Sequence, residues 1–493
     1  MRHLSIVVAQ IVVWTLGLAT ATASDFERWF TVELSGAKTG WMHMSRATDG
    51  DRITSTSELS LEIRRGDTSV SLSLSSEFVE TTDGKPVSMQ SRTRMGTQPS
   101  LSRWTFHDDH VMHEVEQQGR ITTQRLDRPA GTWLPPAAAD AFTAKRLEAE
   151  AKQITLRTID PLVGLTPIVM TRDIEERVMV EAMGKQVSAL RTRVAQDVAP
   201  GAGSVEYIDD SGLPIRIQAR IGTLELDMRL ATRDVARDGK IAQIPEIMVS
   251  TFIKPDRSIA QPRRVTRAIY LLSFTEGDLP DLPTTSVQRV ERIDASSVRV
   301  TISTRDPSPA RNADIDNKAF LAASPLIDHA DERVSSLRTA AVRSTGDDKH
   351  ARAEAMRRYV YRHIRDKSLD VGFASASETA RTRAGDCSEH AVLLAAMLRA
   401  DGIPARVVTG ILYADEFAGH RDIFGYHMWT QALLDKAGAP TWVDLDATLD
   451  QRPFDAAHIA MGVSALSEGL AIDAMLPIAD LMGRLAIRVE SIE

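Results

Sequence analysis

Residues 381–413 read RTRAGDCSEHAVLLAAMLRADGIPARVVTGILY, and residues 425–448 read GYHMWTQALLDKAGAPTWVDLDAT. The first stretch holds the chain's single cysteine, Cys387. Ala391, Leu394 and Leu398 recur there at helical spacing, with Val392 and Ala395 beside them. The pattern predicts a helix starting at Asp386 or Cys387 and running to Ala400, with Gly402 closing it and Pro404 preventing continuation. A thiol at a helix start meets the positive end of the helix dipole and backbone N–H groups without intrahelical partners, both of which stabilise the thiolate.

The second stretch supplies partners for that thiol. Ala405–Leu412, His427–Leu434 and Thr441–Ala447 read as strands, and residues 435–440 form a polar turn. A turn centred near residue 437 sets His427 against position 447 or a neighbour, which brings Asp446 within reach of the imidazole. Cys387 as nucleophile, His427 as base and Asp446 as orienter satisfy the logic of a catalytic triad. Asp444 competes for the third place. The backbone N–H of Cys387 is a candidate oxyanion donor.

These residues also carry a resemblance. G-D-C-S-E-H-A, then L-R-A-D-G-I-P-A-R-V-V-T-G, then Y-H-M-W, then W-V-D-L-D-A-T is similar to the transglutaminase-like core of the papain-like cysteine enzymes. The likeness covers about residues 314–450 and is strongest over 380–448. It implies an α+β papain-like fold with a triad of the Cys, the His of H-x-W and the Asp of W-x-x-x-D-x-T, here Cys387, His427 and Asp446. Asp446 stands four residues after Trp442, as the family spacing asks. No D-x-[DN]-x-[DN]-G loop for calcium is present, so no cofactor is implied. Arg406 reads as a brace for its strand, Trp429 and Trp442 as core or wall, and His390 as a packing or capping residue. Tyr426 is assigned no role.

Upstream of this domain the pattern is β. From about residue 28 to 233 apolar residues alternate, as at Leu59, Leu61 and Ile63, and at Val70, Leu72, Leu74 and Phe78. Thr48–Asp51 and Thr82–Lys85 read as hairpin turns, and 137–152 as one helix. The expectation is an antiparallel, β-rich N-terminal domain over 24–240, its sheet curved or partly closed. A small β module and linker follow over 241–310, then the α+β domain over 311–493. His107, His110, His113 and Glu114 cluster in sequence. In β and turn surroundings spacing three alternates faces, which argues against a metal site.

Composition removes other classes. The 59 basic and 67 acidic residues leave a net charge of −8, without the basic surplus of a nucleic-acid binder. One cysteine makes neither an intramolecular disulfide nor a cysteine-based zinc cluster. Residues 1–23, MRHLSIVVAQIVVWTLGLATATA, read as a secretory signal peptide cleaved before Ser24. The expected protein is secreted or periplasmic, with no membrane span once the signal is removed. The expected activity is a cysteine-dependent acyl transfer on peptide or carboxamide bonds of a peptide or protein substrate, with hydrolysis favoured over cross-linking. The alternative is a peptide-binding or envelope-assembly protein without catalysis.

Overall fold

The structure, a computed structural model, describes residues 25–493 apart from 66–67, 96–97, 118–119, 198–202, 210–211, 222–223, 240–250, 276–278, 316, 368–373, 451–452, 468–480 and 482. The expected leader therefore lies outside the described residues. Among those described, no helix is long and apolar enough to cross a membrane. The chain divides into two units, with the boundary between residues 247 and 248.

The first unit is one antiparallel sheet of fourteen strands, β1 (Phe26–Leu34) to β14 (Leu224–Ala231). Strands β1 to β8 (Arg120–Leu126) follow one another by hairpins, and β14 back to β9 (Gln153–Thr158) do the same from the other side of β1. Strands β8 and β9 end the order, so the sheet is not a closed barrel. The alternation legible in sequence is the burial pattern. In β3 (Arg52–Arg65) and β4 (Thr68–Thr81), Leu59 faces Leu74, Leu61 faces Leu72 and Ile63 faces Val70, all buried. The hairpins at residues 50–51 and 82–85 fall where turn chemistry put them.

The helix of this unit, α1 (Pro136–Glu148), ends four residues earlier than its composition suggested, as Glu150 enters the left-handed region at φ 54°. Its start has no side-chain cap of its own. Instead the buried Glu80 carboxylate of β4 accepts from the N–H groups of Ala137 (2.7 Å) and Ala138 (3.0 Å). Arg46 of β2 (Ala37–Asp49), its side chain fully buried, pairs with Asp140 of α1. A second buried pair joins Arg172 to Glu206 at 2.7 Å. Burial pushes the Glu80 carboxyl up to about 7, against the pull of the two N–H groups and Arg46.

In the second unit, β15 (Arg267–Phe274), β16 (Gln288–Arg292) and β17 (Ser297–Ser303) form a sheet with the last strand of the chain, β22 (Leu485–Ile492), which pairs with β15. After the short helices α2 (Arg233–Arg237), in the first unit, and α3 (Asn312–Ile315), the longer helices are α4 (Glu332–Ala341), α5 (Lys349–His363), α6 (Ala376–Thr382) and α7 (Cys387–Ala400). Helices α4, α5 and α6 pack around α7, which lies on β18 (Ala405–Phe417) and β19 (His420–Lys436). With β20 (Ala439–Leu445) and β21 (His458–Ser464) these strands make an antiparallel sheet in the order β20-β19-β18-β21. The buried Gln288 amide ties the two sheets, donating to the Ala460 carbonyl and accepting from the Ala460 N–H, both at 2.8 Å.

Helix α7 is buried on every side. Each residue from Ala391 to Leu398 is at most 2% exposed. Its end is a Schellman motif: Gly402, at φ 73°, donates to the Arg399 carbonyl and Ile403 donates to Leu398.

Folded Glu80 keeps its proton to about pH 7, whereas the unfolded chain releases it near 4.5. Between those values the native state binds more protons, so this group's contribution to stability falls as pH rises. Glu80→Gln removes the titration. The variant should therefore gain on the wild type by roughly 1–3 kcal/mol between pH 4.5 and 7, read from urea midpoints at the two pH values.

Candidate active site

The segment Gly385-Asp386-Cys387-Ser388-Glu389 builds the start of α7 residue by residue. Asp386 is the N-cap, its Oδ1 accepting from the Ser388 N–H at 2.8 Å. Glu389 reaches back to accept from the Asp386 N–H at 2.9 Å, completing a capping box. The other oxygen of Glu389 accepts from the Ala374 N–H at 2.9 Å. Its carboxyl is wholly buried and pushed upward, first by burial and then by the nearby Asp386 charge. Gly385 is required by this fold-back. It sits at φ 149°, and a Cβ there would lie 2.4 Å from Cβ and Cγ of Glu389.

Cys387 follows as the first residue of the helix, half-buried. Thr430 of β19 docks the helix by donating to the Ala391 carbonyl at 2.9 Å. Ala391 is one turn after Cys387, and Thr430 is three residues after His427, so the thiol's helix is fastened to the strand that carries the imidazole. His390 lies inside: its Nδ1 meets the Asp386 carbonyl at 2.6 Å, and burial holds its basicity below the usual range.

His427 Nε2 lies 2.9 Å from Asp446 Oδ2. The register of β19 with β20 sets Thr430 against Leu445, and continued by three residues it would set His427 against Thr448. The chain leaves the ladder after Leu445, and Asp446 reaches the ring from just past the strand end. The turn that follows is held by Asp446 itself, whose Oδ1 accepts from the N–H (2.8 Å) and hydroxyl (2.6 Å) of Thr448. Arg357 of α5 braces the same turn, donating to the Asp446 carbonyl at 3.0 Å while its Nε is held by Glu354.

Asp444 is engaged elsewhere. It accepts from the indole of Trp429 (2.8 Å) and from Gln431 (2.7 Å), and burial raises its carboxyl. Gln431 in turn accepts from Arg406 at 2.8 Å, and that guanidinium lies 4.1 Å from the Trp442 ring. Arg406 thus braces its strand, as expected.

Two functional-site neighbours were invisible in sequence. His458, at the start of β21, places Nε2 3.2 Å from Asp446 Oδ2 and Nδ1 3.0 Å from Asp455 Oδ1. Its side chain is fully buried. Burial opposes its charge, but the Asp455 and Asp446 carboxylates outweigh it and raise the ring to about 9. Asp446 shows the converse. Burial would raise it, yet His427 and His458 hold it well below the usual carboxylate range. Nothing in the local run D-A-A-H-I-A-M-G marks His458, because the contact spans the sheet rather than a helical turn.

One donor atom each from His427, Asp446 and His458 falls within 4.8 Å, a spacing that one cation could bridge. Hydrogen bonds already occupy the grouping: both nitrogens of His458 lie within hydrogen-bond distance of carboxylates, Nε2 of Asp446 and Nδ1 of Asp455. The upstream histidines do not form one cluster. His113 of β7 (Val111–Gln117) stacks on Trp104 of β6 (Gln98–Phe106) with ring centroids 4.6 Å apart, Glu114 faces outward, and His107 and His110 stack on each other at 4.5 Å across the hairpin turn.

Residues 337–447 match the family model of the transglutaminase-like superfamily. The C-terminal domain resembles the transglutaminase-like superfamily over that span. The match spans α7, His427 and Asp446. Among solved structures, a β-barrel-like protein of the domain of unknown function DUF1849 from Brucella abortus is 12% identical, with 43% of this chain and 97% of that one covered and a TM-score of 0.35. The periplasmic domain of TgpA from Pseudomonas aeruginosa, bound to ethylmercury, is 17% identical over 38% of this chain and 92% of that one, at a TM-score of 0.24. No curated protein matches the chain.

Gly385→Ala tests the start of the transglutaminase-like helix. The forced contact with Glu389 and the positive φ should cost about 2–5 kcal/mol together. Urea unfolding should record that loss, and Cys387 should lose reactivity toward iodoacetamide in the folded variant.

Proposed function

We propose that the chain is an exported, cysteine-dependent acyl-transfer enzyme that acts on peptide or carboxamide bonds through a thioester. The observation that carries this reading is the 2.9 Å bond between His427 Nε2 and Asp446 Oδ2, on the strand to which the helix of Cys387 is fastened. With Nε2 given to Asp446, Nδ1 is the ring nitrogen left to serve the sulfur.

Cys387 Sγ attacks the carbonyl carbon as thiolate, with its proton on His427 Nδ1. The C–N bond breaks as that proton passes to the leaving amine, and the acyl group stays on sulfur as a thioester. Water then adds to the thioester carbonyl, giving a proton to His427. Sulfur departs as thiolate and the product is a carboxylic acid. The N–H of Cys387 at the helix start is the natural oxyanion donor. If an amine replaces water, the same steps cross-link. Hydrolysis is favoured, because a site meeting bulk water must exclude it to prefer an amine. Export rests on residues 1–23, with their basic start, apolar run and Ala-Thr-Ala site.

Cys387→Ala should abolish acyl-enzyme formation with peptide and amide probes, followed by intact-protein mass spectrometry. Asp446→Asn should lower kcat by roughly 10³–10⁴-fold by losing the ring's orientation and tautomer. Asp444→Asn should instead cost stability through Trp429 and Gln431. A purified wild-type chain that forms no thiol-dependent adduct with any such probe would refute the reading.

A further inference from the structure

Asp446 serves two rings with one oxygen. Oδ2 receives His427 Nε2 at 2.9 Å and His458 Nε2 at 3.2 Å, while Oδ1 is occupied by Thr448. The other nitrogen of His458 is equally committed, to Asp455 Oδ1 at 3.0 Å. Asp455 is itself anchored, accepting from Arg263 (3.1 Å) and from the Ala457 N–H (2.9 Å), which favours its ionised form. A neutral imidazole between these carboxylates would point one nitrogen lone pair at a carboxylate oxygen, so both nitrogens must carry protons. Charges therefore alternate from Arg263 through Asp455 and His458 to Asp446, whose Oδ2 also meets His427.

We infer that His458 is a positioning residue: a fixed buried imidazolium that takes part of the Asp446 charge away from His427 and so sets the pH range in which the Cys387–His427 pair reacts. This rests on the cysteine-enzyme reading. The charged and titratable groups facing His458 are Asp446 and Asp444 from the β20 segment, Asp455 just before β21, Arg263 through Asp455, and His427 on β19. Glu354 and Arg357 of α5 face it across a cavity of about 40 Å³. That volume is enough for water. Burial of the ring excludes contact with substrate, so His458 acts through Asp446.

With His458 neutral or absent, Asp446 directs its whole charge at His427, and the proton on that ring is held more firmly. The thiolate–imidazolium pair then survives to higher pH, and proton delivery to the leaving amine slows. A bystander that merely fills space would change amplitude and stability without moving the pH limb.

The test is the pH profile of Cys387 alkylation by iodoacetamide, and of kcat on a peptide amide found by the adduct screen, in wild type, His458→Gln and Asp455→Asn. Asp455→Asn keeps the shape and the hydrogen bond but removes the charge that holds His458 protonated, so it decides the matter if His458→Gln does not fold. Both variants should move the alkaline limb upward by roughly one pH unit and lower kcat more than they change KM. Histidine ¹⁵N spectra of the wild-type full chain should show both nitrogens of His458 protonated at pH 7.5. Folded variants with an unmoved limb, or a neutral His458 at pH 7.5, would overturn the inference. Because the spectra do not depend on thiol reactivity, an inert Cys387 with a protonated His458 would sink the enzymatic reading and the tuning role with it. An active Cys387 with a neutral His458 would sink only the tuning role.

Discussion

A helix buried on all sides cannot leave the amides of its first turn to water, and that constraint organises the C-terminal domain. The side chains of Asp386 and Glu389 answer it by accepting from Ser388 and from the Asp386 N–H. Glu389 can fold back only because Gly385 has no Cβ. Cys387 directly follows the N-cap, placed at the positive end of the α7 dipole by the same geometry that lets the helix be interior. The hydrophobic run after it binds the helix to β18 and β19, and through Thr430 fixes it to the strand of His427.

Charge is handled by pairing rather than by exposure. Asp446 is buried and would resist ionisation, yet it faces two histidines and the Thr448 turn, so its carboxylate is the favoured form. Asp444, two residues earlier and equally buried, accepts hydrogen bonds only from neutral donors, with the Arg406 guanidinium and the His458 ring farther off, and its carboxyl shifts the opposite way. Two aspartates on one strand end thus acquire opposite electrostatics from the groups that happen to reach them. The N-terminal unit uses the same rule for a structural end. Its sheet interior holds the Arg46–Asp140 and Arg172–Glu206 pairs, and Glu80 caps a helix from a neighbouring strand. Breaking such a pair leaves an uncompensated buried charge, so each ties sheet elements together in one arrangement.

Much of this was legible in local pattern. Period-two alternation marked β3 and β4, because a half-buried sheet selects residues by face alone. Caps and spacing located α7 from Cys387 to Ala400 with Asp386 at its start, because helix ends are satisfied within a few residues of sequence. The G-D-C-S-E, H-x-W and D-x-T blocks carried the resemblance to the transglutaminase-like core, and D-x-T has a local cause: Thr448 closes a turn on Asp446. The end of α1 was less legible, since nothing in an Ala/Glu/Lys-rich run forbids another turn until Glu150 takes a left-handed conformation.

By itself, then, the sequence determined the β-rich and α+β halves and the helix that begins at Cys387, and its hairpin and spacing after Trp442 pointed to Asp446 as the partner of His427. These follow from interactions between residues close along the chain or across one hairpin. Tertiary structure alone decided how Asp446 meets His427, because the ladder ends at Leu445 and Asp446 bends back. It also decided that the last strand of the chain would join β15, and that His458 and Asp455 would extend the charge row behind Asp446. Those contacts join segments whose separation in sequence carries no period, so only the packed sheet brings them together.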